Sequence, residues 1–352
     1  MVKHNNEILL VPKDGLLEDR IFKVGSAMRG YEVARPFVLL RDGLGERGYE
    51  LKTIDRSKNP ENAFAVIFFE TPEKHNKYYR FCIRNKMQNR MYIYAGEPPA
   101  TYPENYDVSR HRDFKGILTF DSDLVDNKRY FRMNYTIPVR FGEKITIPKR
   151  AFGSKKLLCL ISGNKFSSYK TELYSERVKA IRFMENNHKE EFDLFGVGWE
   201  KPIIHYKWAS AIKLNGAIWT FWPDSINAKS FSSYRGSVPY KAKILPGYKF
   251  AISYENCVTR GWISEKILET MLYGSVPVYL GDPDIGKRIP RDCFIDKREY
   301  STYESLYDYM SNMNREDHER YLDNIEKFLN SKKVYPFTID AFIESFKRML
   351  DI

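Results

Sequence analysis

The chain has 352 residues, 43% of them hydrophobic and 15% aromatic, with a formal net charge of +11. That length sets two domains of ordinary size as the expectation, with enough apolar material for real cores. The four cysteines show no C-x-x-C spacing and no partnered histidines, which argues against a structural zinc site and reads as reduced thiols in a cytosolic protein. Basic residues are spread along the chain without a block of about five or six, so nucleic acid is not the expected partner. A nucleotide donor, or an acceptor carried on an anionic membrane lipid, suits the charge. The start, MVKHNNEILLVPKDG, lacks a signal-peptide apolar region, and nowhere do about 18 apolar residues run together. The expected location is therefore cytoplasmic, at most peripheral at the inner membrane surface.

In chain order, residues 1–60 are rich in charge and glycine, and RDGLGERGYELKTIDRS reads as a surface segment leading into a domain. Phe64–Phe69 (FAVIFF) is a buried-strand run. TPEKHNKYYRFCIRNKMQN follows, helical in composition with Pro72 near its start, and MYIYAG is the next strand. Strand, helix, strand at this spacing is a βαβ unit with a right-handed crossover. It sets Glu97 at the carboxyl end of a parallel strand, facing the crevice, with Pro98 and Pro99 stiffening the turn. FKGILTF (Phe114–Phe120) supplies another strand. EKITIPKRAFGSKK, over 143–156, is polar, basic and broken by Pro148 and Gly153, which marks a domain boundary. The expected first domain is 1–150 and the second 151–335.

The second domain opens with a strand over Lys156–Ser162. Leu173, Val178, Ile181 and Met184 then recur at helical spacing. Arg177 falls on the first turn of that helix, away from the apolar stripe, where it either points at an anion above the sheet or is simply solvated. The stretch YKFAISYENCVTRGWISEKILETMLYGSVPVYLGDPDI, from Tyr248 to Ile285, reads strand, loop, helix, strand, loop. Ser264 is a plausible N-cap for a helix to about Tyr273, Gly274 is placed to stop it, and Val276–Leu280 is a compact apolar strand. Polar residues thus collect where a strand end meets a helix N-terminus, the place where α/β sheets bind ligands. Such a corner offers unpaired N–H groups and partial positive charge, and Lys266 adds a full one. Glu265 is costly against phosphate but suits ribose hydroxyls; both residues also fit an ordinary solvated first turn. From Arg298 onward the chain is helical and amphipathic, and residues 336–352, with FIESFKRML, can return to pack on the first domain.

The wording of that central stretch (YKF, EN, G-W-I-S-EK, then the P-V-Y-x-G strand) resembles the donor-binding motif of the α-1,3/1,4-fucosyltransferases, inverting enzymes of glycosyltransferase family 10 that use GDP-fucose. LFGVGW (Leu194–Trp199) and SYRGSVPYKAKIL are similar to further segments of that family, and YAGEPPATYPENYD resembles the one holding its catalytic glutamate. Pro98 departs from the polar residue usual after that glutamate, and Asn134 replaces a usual proline. The resemblance implies a GT-B architecture: two Rossmann-like α/β domains facing across a cleft. It implies GDP-fucose in the C-terminal domain, bound by Arg177, Asn256, Trp262, Glu265 and Lys266, with Glu97 as the catalytic base on the acceptor side. Asn256 contacts the nucleotide or holds its loop, and Trp262 stacks on the nucleotide or fills core; the resemblance favours the site for both. It also implies transfer to O3 or O4 of N-acetylglucosamine in a glycan, glycolipid or lipopolysaccharide.

Two D-x-D strings, Asp121–Asp123 and Asp282–Asp284, suit a hard cation against a diphosphate but also arise in turns. Because Arg177, Lys266 and the helix pole already supply positive charge, no cofactor is expected and a divalent metal is not required. No Walker A loop occurs, and His111 and His205 are isolated. Another nucleotide sugar, or a carbohydrate-binding protein without turnover, are the alternatives.

Overall fold

A computed structural model describes residues 5–23, 31–200 and 231–352. Two all-parallel sheets dominate it. The first has six strands: β1 (Glu7–Val11), β2 (Glu50–Thr53), β3 (Ala65–Phe69), β4 (Met91–Ala95), β5 (Gly116–Thr119) and β6 (Tyr130–Arg132). Their order is β2-β1-β3-β4-β5-β6. The second holds β7 (Lys156–Ile161), β8 (Phe192–Phe195), β9 (Tyr248–Tyr254), β10 (Val276–Leu280) and β11 (Ile295–Asp296), in the order β11-β10-β9-β7-β8. The helices are α1 (Tyr31–Gly45), α2 (Lys77–Arg84), α3 (Tyr174–Asn187), α4 (Glu265–Leu272), α5 (Tyr303–Ser311), α6 (Arg315–Leu329) and α7 (Ile339–Leu350). This is the GT-B arrangement of two Rossmann-like halves. Central strands such as AVIFF and VPVYL are buried along nearly their whole length, as strands covered on both faces must be.

The stretch 41–57 departs from the expected surface segment, since it holds the end of α1 and all of β2. Among the described residues of 1–60 lie β1, α1 and β2, and β1 is an interior strand of the first sheet. The five-residue run EILLV is short, and Pro36, Gly43 and Gly45 interrupt the helical signature of α1. Tertiary burial decides in favour of both elements. Helix α2 begins later than Pro72 suggests, because Asn76 caps it by accepting from Tyr78 N and Tyr79 N, each at 3.0 Å. Helix α4 follows the local signals closely. The Ser264 hydroxyl accepts from Lys266 N, and Gly274 takes φ 75° beyond the helix end.

Helix α7 packs on the first sheet. Phe342, Phe346 and Met349 share a buried cluster with Phe37 and Tyr92, and the Phe346 ring stacks on Tyr94 with centroids 5.7 Å apart. A second seam joins the halves at residues 120–123 and 260–262. Ser122 N donates to Arg260 O at 2.9 Å. Gly261 has φ 90° there, and a β-carbon on it would overlap Phe120 O and Ser122 Oγ, so only glycine permits this approach. Among the described residues no helix is long and apolar enough to cross a membrane.

Candidate active site

The corner between β9 and α4 is built around Glu255. Its side chain is 0% exposed and accepts from Ser264 N at 2.8 Å, Ser264 Oγ at 2.6 Å and Trp262 Nε1 at 3.1 Å. Burial pushes its carboxyl up, while Lys266 and Ser264 oppose the shift. Lys266 Nζ lies 3.7 Å from Glu255, 3.3 Å from Glu265 and 3.1 Å from Ser264 Oγ. Burial also pushes Glu265 up, but Lys266 and Lys241 outweigh it and hold this carboxyl at about 2. Glu265 therefore stays ionised, a pure acceptor of the kind that sugar hydroxyls require. Lys241 reaches Glu269 at 2.6 Å and brings a further cation to the same helix face. In the sequence Lys241 is only one letter of a resemblance motif; nothing local ties it to α4.

Arg177 is not a solvated helix arginine. It is 3% exposed, and its Nη2 donates to Tyr254 O and Glu255 O at 2.7 Å and to Asn256 Oδ1 at 3.1 Å. Its Nε is buried without a hydrogen-bond partner, a donor left for something else to satisfy. Asn256 serves its loop: besides Arg177, its Nδ2 donates to Thr101 Oγ1 at 3.3 Å. Thr101 belongs to the segment after Glu97, so the two halves meet at this point. Ser167 Oγ adds a second tie, donating to Ala100 O at 2.8 Å.

Trp262 departs from a stacking role. The ring is 4% exposed, sits edge-on to Phe120 at 4.7 Å and hydrogen-bonds Glu255. It fills the seam between the halves, because an indole with its N–H satisfied internally is packed most favourably there.

On the opposite side, Glu97 follows β4 and faces a cavity of about 230 Å³. Lys13, Glu70, Tyr94, Tyr135 and Phe342 also line it. Burial raises the Glu97 carboxyl; Lys13, Lys165 and Lys266 pull it down, and Glu265 raises it further. The influence of Glu265 and Lys266 ties this cavity electrostatically to the α4 corner. Glu70, at the end of β3, is a carboxylate that the sequence does not single out. The cavity is aromatic and carries carboxylates, a lining that suits the apolar faces and hydroxyls of a sugar.

The D-x-D strings have structural employment. Asp121 Oδ1 accepts from Asp123 N at 2.8 Å and Asp282 Oδ1 from Asp284 N at 2.9 Å, both turn-forming bonds. Arg260 bridges Asp123 at 2.6 Å and Asp284 at 3.0 Å across the seam. Among the described residues no group of three or more His, Cys, Asp or Glu side chains is disposed to hold a metal. His111 is buried against Tyr130, and desolvation lowers its pKa to about 4. His205 lies outside the described residues. All four cysteines are buried and unpaired.

Residues 226–338 match the family model "Glycosyltransferase family 10 (fucosyltransferase) C-term". An alpha-(1,3)-fucosyltransferase of Helicobacter pylori is 27% identical over 74 residues, 21% of this chain and 16% of that one. A GDP-fucose protein O-fucosyltransferase 3 of Gallus gallus is 29% identical over 127 residues, 31% of this chain and 26% of that one. The human 4-galactosyl-N-acetylglucosaminide 3-alpha-L-fucosyltransferase 9 is 31% identical over 99 residues, 28% of this chain and 26% of that one. The chain thus spans well under a third of the length of each of these relatives. A solved alpha1,3-fucosyltransferase superposes with a TM-score of 0.56 at 16% identity, covering 98% of this chain and 90% of the other. A DNA-modifying β-glucosyltransferase does so with a TM-score of 0.52 at 13% identity, covering 98% and 100%. At such identities these two likenesses bear on fold alone.

Proposed function

We propose that this chain, residues 226–338 of which match the family 10 fucosyltransferase model, transfers fucose from GDP-β-L-fucose to an acceptor hydroxyl with inversion. The observation that carries this reading is the pairing of two unlike half-sites. Glu97 looks into an aromatic cavity, while the α4 N-terminus, with Lys266 and buried Arg177, offers positive charge within electrostatic reach of Glu97.

The chemistry is a single displacement. The Glu97 carboxylate takes the proton of the acceptor hydroxyl as its oxygen bonds to the anomeric carbon. The bond from that carbon to the β-phosphate oxygen breaks, and GDP departs with the electron pair. Charge growing on the diphosphate is met by Lys266, by the Arg177 Nε–H and by the free N–H groups of the α4 start. Glu265, ionised beside Lys266, accepts from sugar hydroxyls. Asn256 and Trp262 hold the loop that carries these groups. These cations suffice for the leaving group, so no divalent metal is required.

The acceptor is O3 of N-acetylglucosamine in a glycan or lipopolysaccharide, met in the cytoplasm or at an anionic membrane surface that the +11 charge favours. Release of the nucleoside diphosphate should be followed, GDP from GDP-fucose and UDP from UDP-sugars, against type 1 and type 2 lactosamine and a Ser/Thr peptide. Turnover only with GDP-fucose and lactosamine supports the reading. Turnover with UDP-sugars, or none with any donor, overturns it. A peptide acceptor alone changes the acceptor class.

A further inference from the structure

Three donors converge on one oxygen at the end of β3. Glu70 Oε2 accepts from Gly96 N at 3.0 Å, from Glu97 N at 3.3 Å and from Asn105 Nδ2. The following peptide is held too: Glu97 O accepts from Asn105 Nδ2 at 3.3 Å and from Tyr106 OH at 3.2 Å. Asn105 is 1% exposed and is fixed in turn, its Oδ1 accepting from Thr71 N at 2.8 Å. We propose that Glu70 is a positioning residue: its carboxylate clamps the Gly96–Glu97 peptide and so sets the direction in which the Glu97 side chain enters the cavity.

The arrangement is costly for the fold, which argues for a purpose. Glu70 is 6% exposed and has a left-handed φ of 65°, a conformation that costs a non-glycine residue. Desolvation raises its carboxyl to about 7, with Asn105 opposing, Glu97 adding to the rise and Lys13 opposing. Tyr94, Tyr102 and Tyr106 also face it. A neutral amide would satisfy the same backbone groups without burying charge. The ionised acceptor makes shorter, stronger bonds to N–H groups, which a clamp on a reacting loop needs.

The inference rests on Glu97 being the base, so its test has an arm independent of turnover. In the unaltered protein the amide proton resonances of Gly96 and Glu97 should titrate together with a midpoint near neutral pH; in Glu70→Gln they should be flat over that range. With GDP-fucose and acceptor, Glu70→Gln should lower kcat by at least about tenfold while KM for GDP-fucose stays within about threefold. The kcat profile of the unaltered protein should carry a step near neutral pH, where Glu70 ionises and its bonds to the Gly96 and Glu97 N–H groups strengthen, and Glu70→Gln should lack that step. Flat amides in the unaltered protein, or a variant with unaltered kcat and the same step near neutral pH, overturn the proposal. If the amides titrate but no nucleotide sugar is turned over, the clamp stands and the enzymatic reading fails. If Glu97→Gln is inactive and Glu70→Gln is unaltered, only the clamp fails.

Discussion

The α4 corner and the Glu97 cavity are built on opposite plans. The frame of the corner is one continuous stretch: β9, the Glu255–Asn256 turn, the Ser264 cap and α4 lie within residues 248–272, and Arg177 and Lys241 join it from elsewhere in the chain. Its geometry comes from cap chemistry and from a carboxylate hydrogen-bonded nine residues ahead along the chain. The cavity draws on Lys13, Glu70, Glu97, Tyr135 and Phe342, brought together by a parallel sheet and by the returning α7. The contrast teaches that a site made of local geometry carries its recognition in the order of its letters. A site made by strand ends carries it in the topology. Under the proposed function the difference has a use: a nucleotide diphosphate is one fixed shape, which a local motif can hold, while an acceptor is met by what the sheet edge and the last helix present.

The sharpest way to break the contrast is Glu97→Gln. Turnover should fall by roughly 10²–10⁴, the usual worth of a general base, with GDP-fucose affinity within about a factor of three. Steady-state kinetics beside calorimetry reads both, and joint loss of binding and turnover would mean that the two regions do not divide the work.

Lys266→Ala probes the corner. Loss of a charge-assisted phosphate contact should weaken GDP binding by roughly 1.5–3 kcal/mol, and Arg177→Ala should cost a comparable amount. Lys266 also offsets the buried Glu255, so thermal stability should fall alongside. Unchanged GDP affinity in calorimetry would remove Lys266 from the donor site.

Glu70 sharpens the comparison from the cavity side. Its carboxyl is raised to about 7 in the folded protein, so its favourable contribution is present when it is protonated and is lost as pH rises through that value. Glu70→Gln does not titrate. Relative to the unaltered protein it should therefore gain stability between pH 5 and pH 8, by an amount on the order of 2–3 kcal/mol. Denaturant unfolding at the two pH values measures the difference, and a pH-independent gap would contradict the raised carboxyl.

The smallest expected effect is that of chelation. If Lys266, Arg177 and the α4 pole carry the leaving-group charge, EDTA should leave the rate within about twofold. Full loss restored by Mn²⁺ would move the weight to Asp121, Asp123, Asp282 or Asp284.

Much of the second half is legible in the sequence for a physical reason. Ser264, Gly274 and the run VPVYL act on neighbours along the chain, and observed helix α4 and strand β10 begin and end where those signals place them. Local chemistry of that sort survives in any tertiary setting. The charges of Glu265 and Lys266 are equally visible, as is the position of Glu97 beyond a parallel strand. What the letters alone leave open is burial. Trp262 reads as a stacking ring or as core until Phe120 and the seam cover it, and Arg177 as anion-facing or solvated until Tyr254 O and Glu255 O bind its guanidinium. Glu70 ends FAVIFFE as an unremarked charge. Only the adjacency of β3 and β4, with Asn105 folded back between them, makes it the anchor of the Glu97 peptide. Residues 1–60 share that dependence, since a five-residue strand and a proline-bearing helix are ordered by the sheet they join. Caps and apolar runs are decided by near neighbours and belong to the sequence. Desolvation and the pairing of distant carboxylates depend on which strands lie side by side, and tertiary structure alone decides that.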